Sequence, residues 1–211
     1  MSHPAPSDLE LAALISSKIC HDVIGPVGAI YNGLEILDED NNLEAKTYAM
    51  DVIRNVTEQA SAKLQFARFA FGAAGSAGST IDLTTAEQIS RGFIGNGKHK
   101  LTWKGAPGHM TKDLVKLLLN MILTAIGAIP RGGKITVKLD DLNTQPNFTI
   151  TATGPMVRVP PKFLELHSGQ KLADPIDAHS VQPYYTLLLA RESGMEISIR
   201  ASAEEVVFTV R

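Results

Sequence analysis

Between residues 12 and 71 the apolar positions fall into two long series with helical spacing. The first runs Ala12, Ile15, Ile19, Val23, Pro26, Ile30, Gly33/Leu34 and Leu37, stepping mostly by three and four. That spacing puts them on one face of a helix. Ser7 followed three residues later by Glu10 is the pattern of a capping box at its start. The polar turn DEDNN at 38–42 ends the series, and a second one follows with Ala45, Ala49, Val52, Val56, Ala60, Leu64, Ala67 and Phe71. The segment is predicted to be an antiparallel helical hairpin. Two helices cannot enclose a core, so two hairpins from two chains are expected to join in a four-helix bundle, making the protein a homodimer. Pro26 is expected to remove one backbone hydrogen bond from the first helix and to kink it.

Beyond residue 80 the pattern changes to alternating short strands and helices. Lys100 to Trp103, Lys134 to Leu139, Phe148 to Ala152, Met195 to Arg200 and Val206 to Arg211 read as strands, and Thr111 to Ile129 and Val181 to Glu192 as helices. The stretch GAAGSAGS at 72–79 is small and uncharged, as interdomain linkers are. The organisation predicted is therefore a hairpin domain over 1–75, a linker over 76–80 and an α/β domain over 81–211, in the α+β fold class.

Composition narrows the field further. The chain has 211 residues, 20 Lys+Arg against 22 Asp+Glu, and a single Cys. That length buries a sizeable core, and one Cys excludes an intrachain disulfide scaffold. The near-neutral balance gives no footprint for nucleic acid. It conceals an asymmetry, since residues 1–71 carry a net charge of -5 and residues 72–211 a net charge of +3. No uninterrupted apolar run approaches the roughly 18 residues a membrane span needs, and the start, MSHPAPSDLE, lacks the regions of a signal peptide. A cytoplasmic protein that does not engage the membrane is expected.

Candidate chemistry centres on Cys20-His21-Asp22. At about 100° per residue, His21 lies well away from the stripe containing Ile19 and Val23. Its helical neighbours Ser17, Lys18, Gly25 and Gly28 are mostly small, and Leu14 and Ile24 offer apolar contacts beside it. Two glycines on one face cost helix stability and suggest the close approach of another backbone. On spacing alone, a surface histidine on an amphipathic helix is the simpler reading. Cys20 reads as a small buried hydrophobe rather than a nucleophile. His3, His99, His109, His167 and His179 show no metal-ligand spacing and are expected on loops or surfaces.

His21-Asp22-x-x-x-Pro26 resembles the H-box of sensor histidine kinases, carried there on the first helix of a dimeric hairpin. The second segment resembles the kinase ATP-binding sandwich (Bergerat/GHKL fold) with its site removed. DLVKLLLNMILTAIGAIPRGGKITV looks like the N-box helix and following strand, ITATGPMVRVP like the first glycine box, and YYTLLLARESGMEISI like the closing helix and strand. The departures matter as much as the matches. Where the family has two Asn residues four apart, this chain has Asn120 and Thr124. Where it has the adenine-binding Asp, two residues before Gly154, this chain has Ala152. Where it has the phosphate-approaching glycines, this chain has Ala178, Ser180 and Gln182. These losses imply that ATP is not bound, with Pro183, Tyr184 and Tyr185 expected to fill the emptied cleft. Gly132-Gly133-Lys134 reads as a turn entering a strand.

A phosphorylatable histidine beside a nucleotide domain without its site is the arrangement of the ChpT type of histidine phosphotransferase of alphaproteobacteria. The resemblance implies that His21 accepts a phosphoryl group from the receiver domain of a CckA-like hybrid histidine kinase. It would then pass to the receivers of CtrA-like and CpdR-like response regulators, in cell-cycle control. It implies that Asp22 orients His21 or balances its charge, and that Leu14, Ser17, Lys18, Ile24, Gly25 and Gly28 dock the receiver. Asp22 reads equally well as a solvated charge at the rim, and Lys18 reads better as a solubilising helix charge. No cofactor belongs to this chain by that reading, Mg²⁺ being supplied by the receiver. Two other classes remain compatible with the sequence: an ATP-using kinase with an aberrant site, and a non-catalytic receiver-binding adaptor.

Overall fold

The computed structural model describes residues 5–39, 42–72, 79–140, 146–169 and 174–211. Helix α1 (Asp8–Glu39) opens with the reciprocal capping box expected of it. The Ser7 N–H and hydroxyl both donate to Glu10 Oε2, at 2.8 and 2.7 Å, and the Glu10 N–H returns to Ser7 Oγ at 3.4 Å. These bonds hold the Glu10 carboxyl below the usual range, the Ser7 backbone bond contributing most. Helix α2 (Leu43–Ala70) is capped by Asn42, whose side chain accepts from the Glu44 N–H. Of the polar turn, residues 40 and 41 lie outside the described residues, as do residues 76–78 of the expected linker.

The two helices pack along the predicted stripes, and closest where side chains are smallest. Gly33 and Ala49 are buried at the crossing, and a Cβ at Gly33 would come within 2.7 Å of Ile53 Cγ1. A larger residue there would force Ile53 to move. Pro26 sits within a continuous α1. Cys20 is exposed, against the expectation of burial. Helix α1 also contains an 18-residue window of mean hydropathy 1.2, long and apolar enough by length and composition to cross a membrane. That corrects the run-length argument, because a window average tolerates isolated charges that an uninterrupted count does not.

The rest of the chain is a two-layer α/β sandwich. Strands β2 (His99–Lys104), β4 (Gly133–Asp140), β5 (Asn147–Thr153), β7 (Glu205–Val210) and β6 (Ile197–Ala201) form one sheet in the order β2-β4-β5-β7-β6, with β2 and β4 parallel and the other pairs antiparallel. Alternation along each strand turns Ile135, Val137, Phe148, Ile150, Val206 and Phe208 inward, all fully buried, against α4 (Lys112–Ala128). Helices α3 (Leu83–Ile94), α5 (Pro161–His167) and α6 (Val181–Glu192) complete that layer, and β1 (Thr80–Asp82) pairs with β3 (His109–Thr111) at its margin. The Gly-Gly turn enters β4 as expected. Gly132 and Gly133 have φ of +94° and +142°, and a Cβ at Gly133 would collide with the Thr153 carbonyl.

The hairpin does not stand apart from the sandwich. The C-terminal half of α2 has a second apolar face, with Phe66 and Ala70 buried, and Phe66 stacks on Phe93 of α3 at a ring-centroid distance of 4.1 Å. The register of α2 is therefore fixed by the α/β layer as well as by α1. This places the His21 turn beside that layer.

Candidate functional site

His21 projects from the middle of α1 with its side chain 73% exposed. Its Nδ1 lies 3.6 Å from Asp22 Oδ1, which leaves Nε2 on the side of the ring away from that carboxylate. The other oxygen of Asp22 accepts from Lys18 Nζ, one turn back, at 2.8 Å. A pair four residues apart on a helix is a natural neighbour, so Lys18 steadies the carboxylate that faces the imidazole.

Pro26 explains a second contact at this turn. Having no N–H, it leaves the carbonyl of Asp22, four residues earlier, without its helical donor. Lys63 of α2 supplies one, its Nζ donating to Asp22 O at 3.2 Å. The turn carrying His21 and Asp22 is thus tied from within by Lys18 and from the neighbouring helix by Lys63. We expect Lys63→Met to lower stability by about 1 kcal/mol in urea unfolding and Lys63→Arg to restore most of it, since a single hydrogen bond from a charged donor is at stake. Between the hairpin and the α/β layer, Lys18, Asp22, Lys63, Phe66, Phe93 and Leu123 line a cleft of about 260 Å³.

The proposed docking residues divide in two. Ile24 is 71% exposed, Ser17 is exposed, and a Cβ at Gly25 or Gly28 would meet nothing within 4 Å, so the surface on that side of His21 is open. Leu14 and Lys18 are turned inward instead. Leu14 lines a depression with Pro175 and Ile176 from the loop before α6, and Lys18 is held by Asp22.

The residues expected at a degenerate nucleotide site are likewise split. Asn120 is fully buried. Its Nδ2 donates to Ala70 O at the end of α2 and to Lys116 O, each at 2.9 Å. Gln182 Nε2 donates to Asn120 O at 3.0 Å and Oδ1 at 3.3 Å, and to Thr186 Oγ1 at 2.8 Å. Thr124 Oγ1 donates back to Asn120 O. Ala152 is buried in β5 between Ile135 and Val206, and Gly154 lies against the Gly132 turn. The tyrosines do not fill the centre of this region, contrary to expectation. Gln182 reaches Asn120 instead, and Thr186, one turn on, bonds Gln182. Tyr185 instead packs on Phe71 at the end of α2, with ring centroids 5.8 Å apart.

Ala178 and Ser180 belong to a tight turn that lies along α1. Asp177 Oδ1 accepts from the N–H groups of His179 and Ser180, and the Ser180 hydroxyl bonds the same carboxylate. These bonds, the Ser180 side chain foremost, hold the Asp177 carboxyl below its ordinary value. The turn presents His179 to His21, ring centroids 6.2 Å apart and nearly perpendicular. Nothing in the local sequence around His179 marks a neighbour 158 positions away. Two other histidines prove to be bonded rather than free. His99 and His167 bond the carbonyls of Ile129 and Ile197 through Nε2.

Residues 83–205 match the profile of the histidine phosphotransferase C-terminal domain. The chain belongs to the histidine phosphotransferase family. This phosphotransferase is 57% identical over 203 residues to the protein phosphotransferase ChpT of Brucella abortus (strain 2308), a match covering 96% of both chains. It also superposes on the 1.7 Å structure of a bacterial phosphotransferase with a TM-score of 0.91 and 53% identity, covering 100% of each chain. Phosphotransfer in two-component signalling is the activity these relationships support, and the helical hairpin with its α/β sandwich is the fold that carries it.

Proposed function

We propose that this phosphotransferase relays phosphoryl groups between receiver domains through His21. The carrying observation is the arrangement at the helix turn: an exposed imidazole whose Nδ1 faces a steadied carboxylate, leaving Nε2 on the opposite side of the ring. The Nε2 lone pair attacks the phosphorus of a receiver's aspartyl phosphate in line. The bond to the aspartyl oxygen breaks, its electron pair leaves on the receiver carboxylate, and the N–P bond forms. Asp22 balances the positive charge left on the ring. The reverse sequence delivers the group to a second receiver.

Catalysis of this kind rests on positioning and charge, so the receiver can bring the Mg²⁺ and a Lys while this chain supplies the oriented imidazole. A CckA-like hybrid kinase is the donor in this reading, and CtrA-like and CpdR-like regulators are the acceptors, in the cytoplasm and in control of the cell cycle. No nucleotide takes part. The Asn120 amide that would face a nucleotide's metal and phosphates is consumed by Ala70 and Lys116, and Gln182 occupies its other side. The test is label transfer without ATP: a receiver charged with acetyl phosphate should lose its label to this protein, giving a product stable to alkali and labile to acid. Binding of the receiver without any label transfer would leave an adaptor, and self-labelling from ATP would leave a kinase.

The active form is proposed to be a homodimer. Ala12, Ile15, Ile19, Leu64, Ala67 and Phe71 line an open apolar groove of about 580 Å³ running between α1 and α2. Farther along the hairpin Val27, Tyr31 and Leu34 are 53%, 62% and 48% exposed. A second hairpin seated on this face completes a four-helix core. Leu64→Glu should weaken the dimer about a hundredfold, read by sedimentation equilibrium, because the introduced charge has no partner in an apolar seam. An unchanged mass would remove the bundle interface from that face.

A further inference from the structure

We propose that His179, from the α/β domain, is a phosphoryl-contacting residue of the relay: its ring N–H donates to a phosphoryl oxygen carried on His21. The inference rests on the reading of His21 as the phosphoryl acceptor and deepens it, since it assigns part of the reaction to the domain that has no nucleotide to bind.

Three observations carry it. The first is proximity across the fold. The two rings stand 6.2 Å apart between centroids and at 78° to one another, so they neither stack nor hydrogen-bond. A phosphoryl group carried on His21 therefore lies beside the His179 ring, within reach of its edge. The second is the rigidity of the support. The Asp177–Ser180 turn is cross-bonded through the Asp177 carboxylate and the Ser180 hydroxyl. Ile176 beside it is buried, and with Pro175 it shares a depression with Leu14 of α1. A turn held this firmly keeps His179 in place, although the residue itself is exposed. The third is the demand of the chemistry. Charge spreads over the equatorial oxygens of the phosphoryl group during transfer, and a fixed donor aimed at one of them acts without reorganisation. Lys18 is unsuited to that task because it is engaged by Asp22, and Lys63 is engaged by the main chain. Among the described residues the His179 ring makes no hydrogen bond, standing only near His21 and the Asp177 carboxylate.

The test uses the full chain and a receiver charged with acetyl phosphate. His179→Ala should lower the transfer rate at saturating receiver by about tenfold to a hundredfold, the range expected for a hydrogen bond to a charged group, with KM for the receiver unchanged. His179→Gln, which keeps a side-chain N–H, should recover part of the loss. In the wild type, the ¹⁵N resonances of the His179 ring should shift when His21 becomes phosphorylated, and should not shift in His21→Ala treated in the same way. Transfer by His179→Ala at the wild-type rate, a loss confined to KM, or His179 resonances indifferent to phosphorylation would each overturn the proposal. A wild-type protein that never takes up label would instead overturn the reading of His21 itself.

Discussion

His21→Ala should reduce label transfer from a phosphorylated receiver to background, a loss of at least roughly 10⁴-fold, as removal of an attacking nucleophile does. The fold should not notice the change. The side chain is 73% exposed, and its nearest ionic partner, Asp22, stands 3.6 Å away, beyond a hydrogen bond. Surface substitutions of that kind alter stability by less than about 0.5 kcal/mol. Receiver affinity should also survive, because Ile24, Gly25 and Gly28 remain where they are. The combination of intact folding, intact binding and absent transfer separates a chemical role from a scaffold role. Persistent labelling of the Ala variant would place the phosphoryl group on another residue. His179 would be the first to examine, given its distance of 6.2 Å.

Asn120→Leu should destabilise the protein by about 2 to 4 kcal/mol, although the exchange makes a buried position more apolar. Helix α2 ends at Ala70, and the last carbonyls of a helix have no partner within it. Ala70 is fully buried, and the amide of Asn120 donates to its carbonyl from another helix. Leucine leaves that carbonyl desolvated and unpaired, at about 1 to 3 kcal/mol, and also removes the bond to Lys116 O and the acceptor that Gln182 uses. With a urea dependence of about 1 to 3 kcal/mol per molar for domains of this size, the unfolding midpoint should fall by about 1 to 2 M. A midpoint within experimental error of the wild type would show that the amide is dispensable to the joint between hairpin and sandwich. The residue that resembles a nucleotide ligand would then have no structural task either.

This second result bears on why the α/β domain is present at all. Asn120 and Gln182, which the resemblance places at a degenerate nucleotide site, bond each other and the end of α2. Their bonds form a joint that fixes the hairpin against the sandwich. Lys63 reaches Asp22 and His179 reaches the neighbourhood of His21 because that joint sets where α2 and α6 lie.

Much of this was legible in the chain. The two apolar stripes, the Ser7–Glu10 cap, the five strands of the main sheet and helices α4 and α6 all follow from local periodicity and turn chemistry. The boundaries of α6 agree with expectation to the residue. Helix α3 was missed although Leu83, Ala86, Ile89 and Phe93 keep helical spacing and Asp82 caps it through the Thr84 N–H. Its consecutive Thr84 and Thr85 and its Gly92 weaken the local signal. The three-residue strands β1 and β3 exist through pairing with each other across some thirty intervening positions, which no local pattern records. The Pro160-Pro161 start of α5 was a readable signal, since proline suits the first helical position.

The sequence by itself determined the hairpin, the placement of His21 away from its stripe, and the freeing of the Asp22 carbonyl by Pro26. Each is a property of spacing or of a single residue's chemistry within one helical turn. Only the tertiary structure decided that Lys63 fills the freed carbonyl, that Asn120 caps α2, and that His179 faces His21. Those contacts join positions 41, 50 and 158 residues apart. They depend on how the second apolar face of α2, around Phe66 and Ala70, seats on α3 and α4, a packing event that periodicity within either segment does not encode.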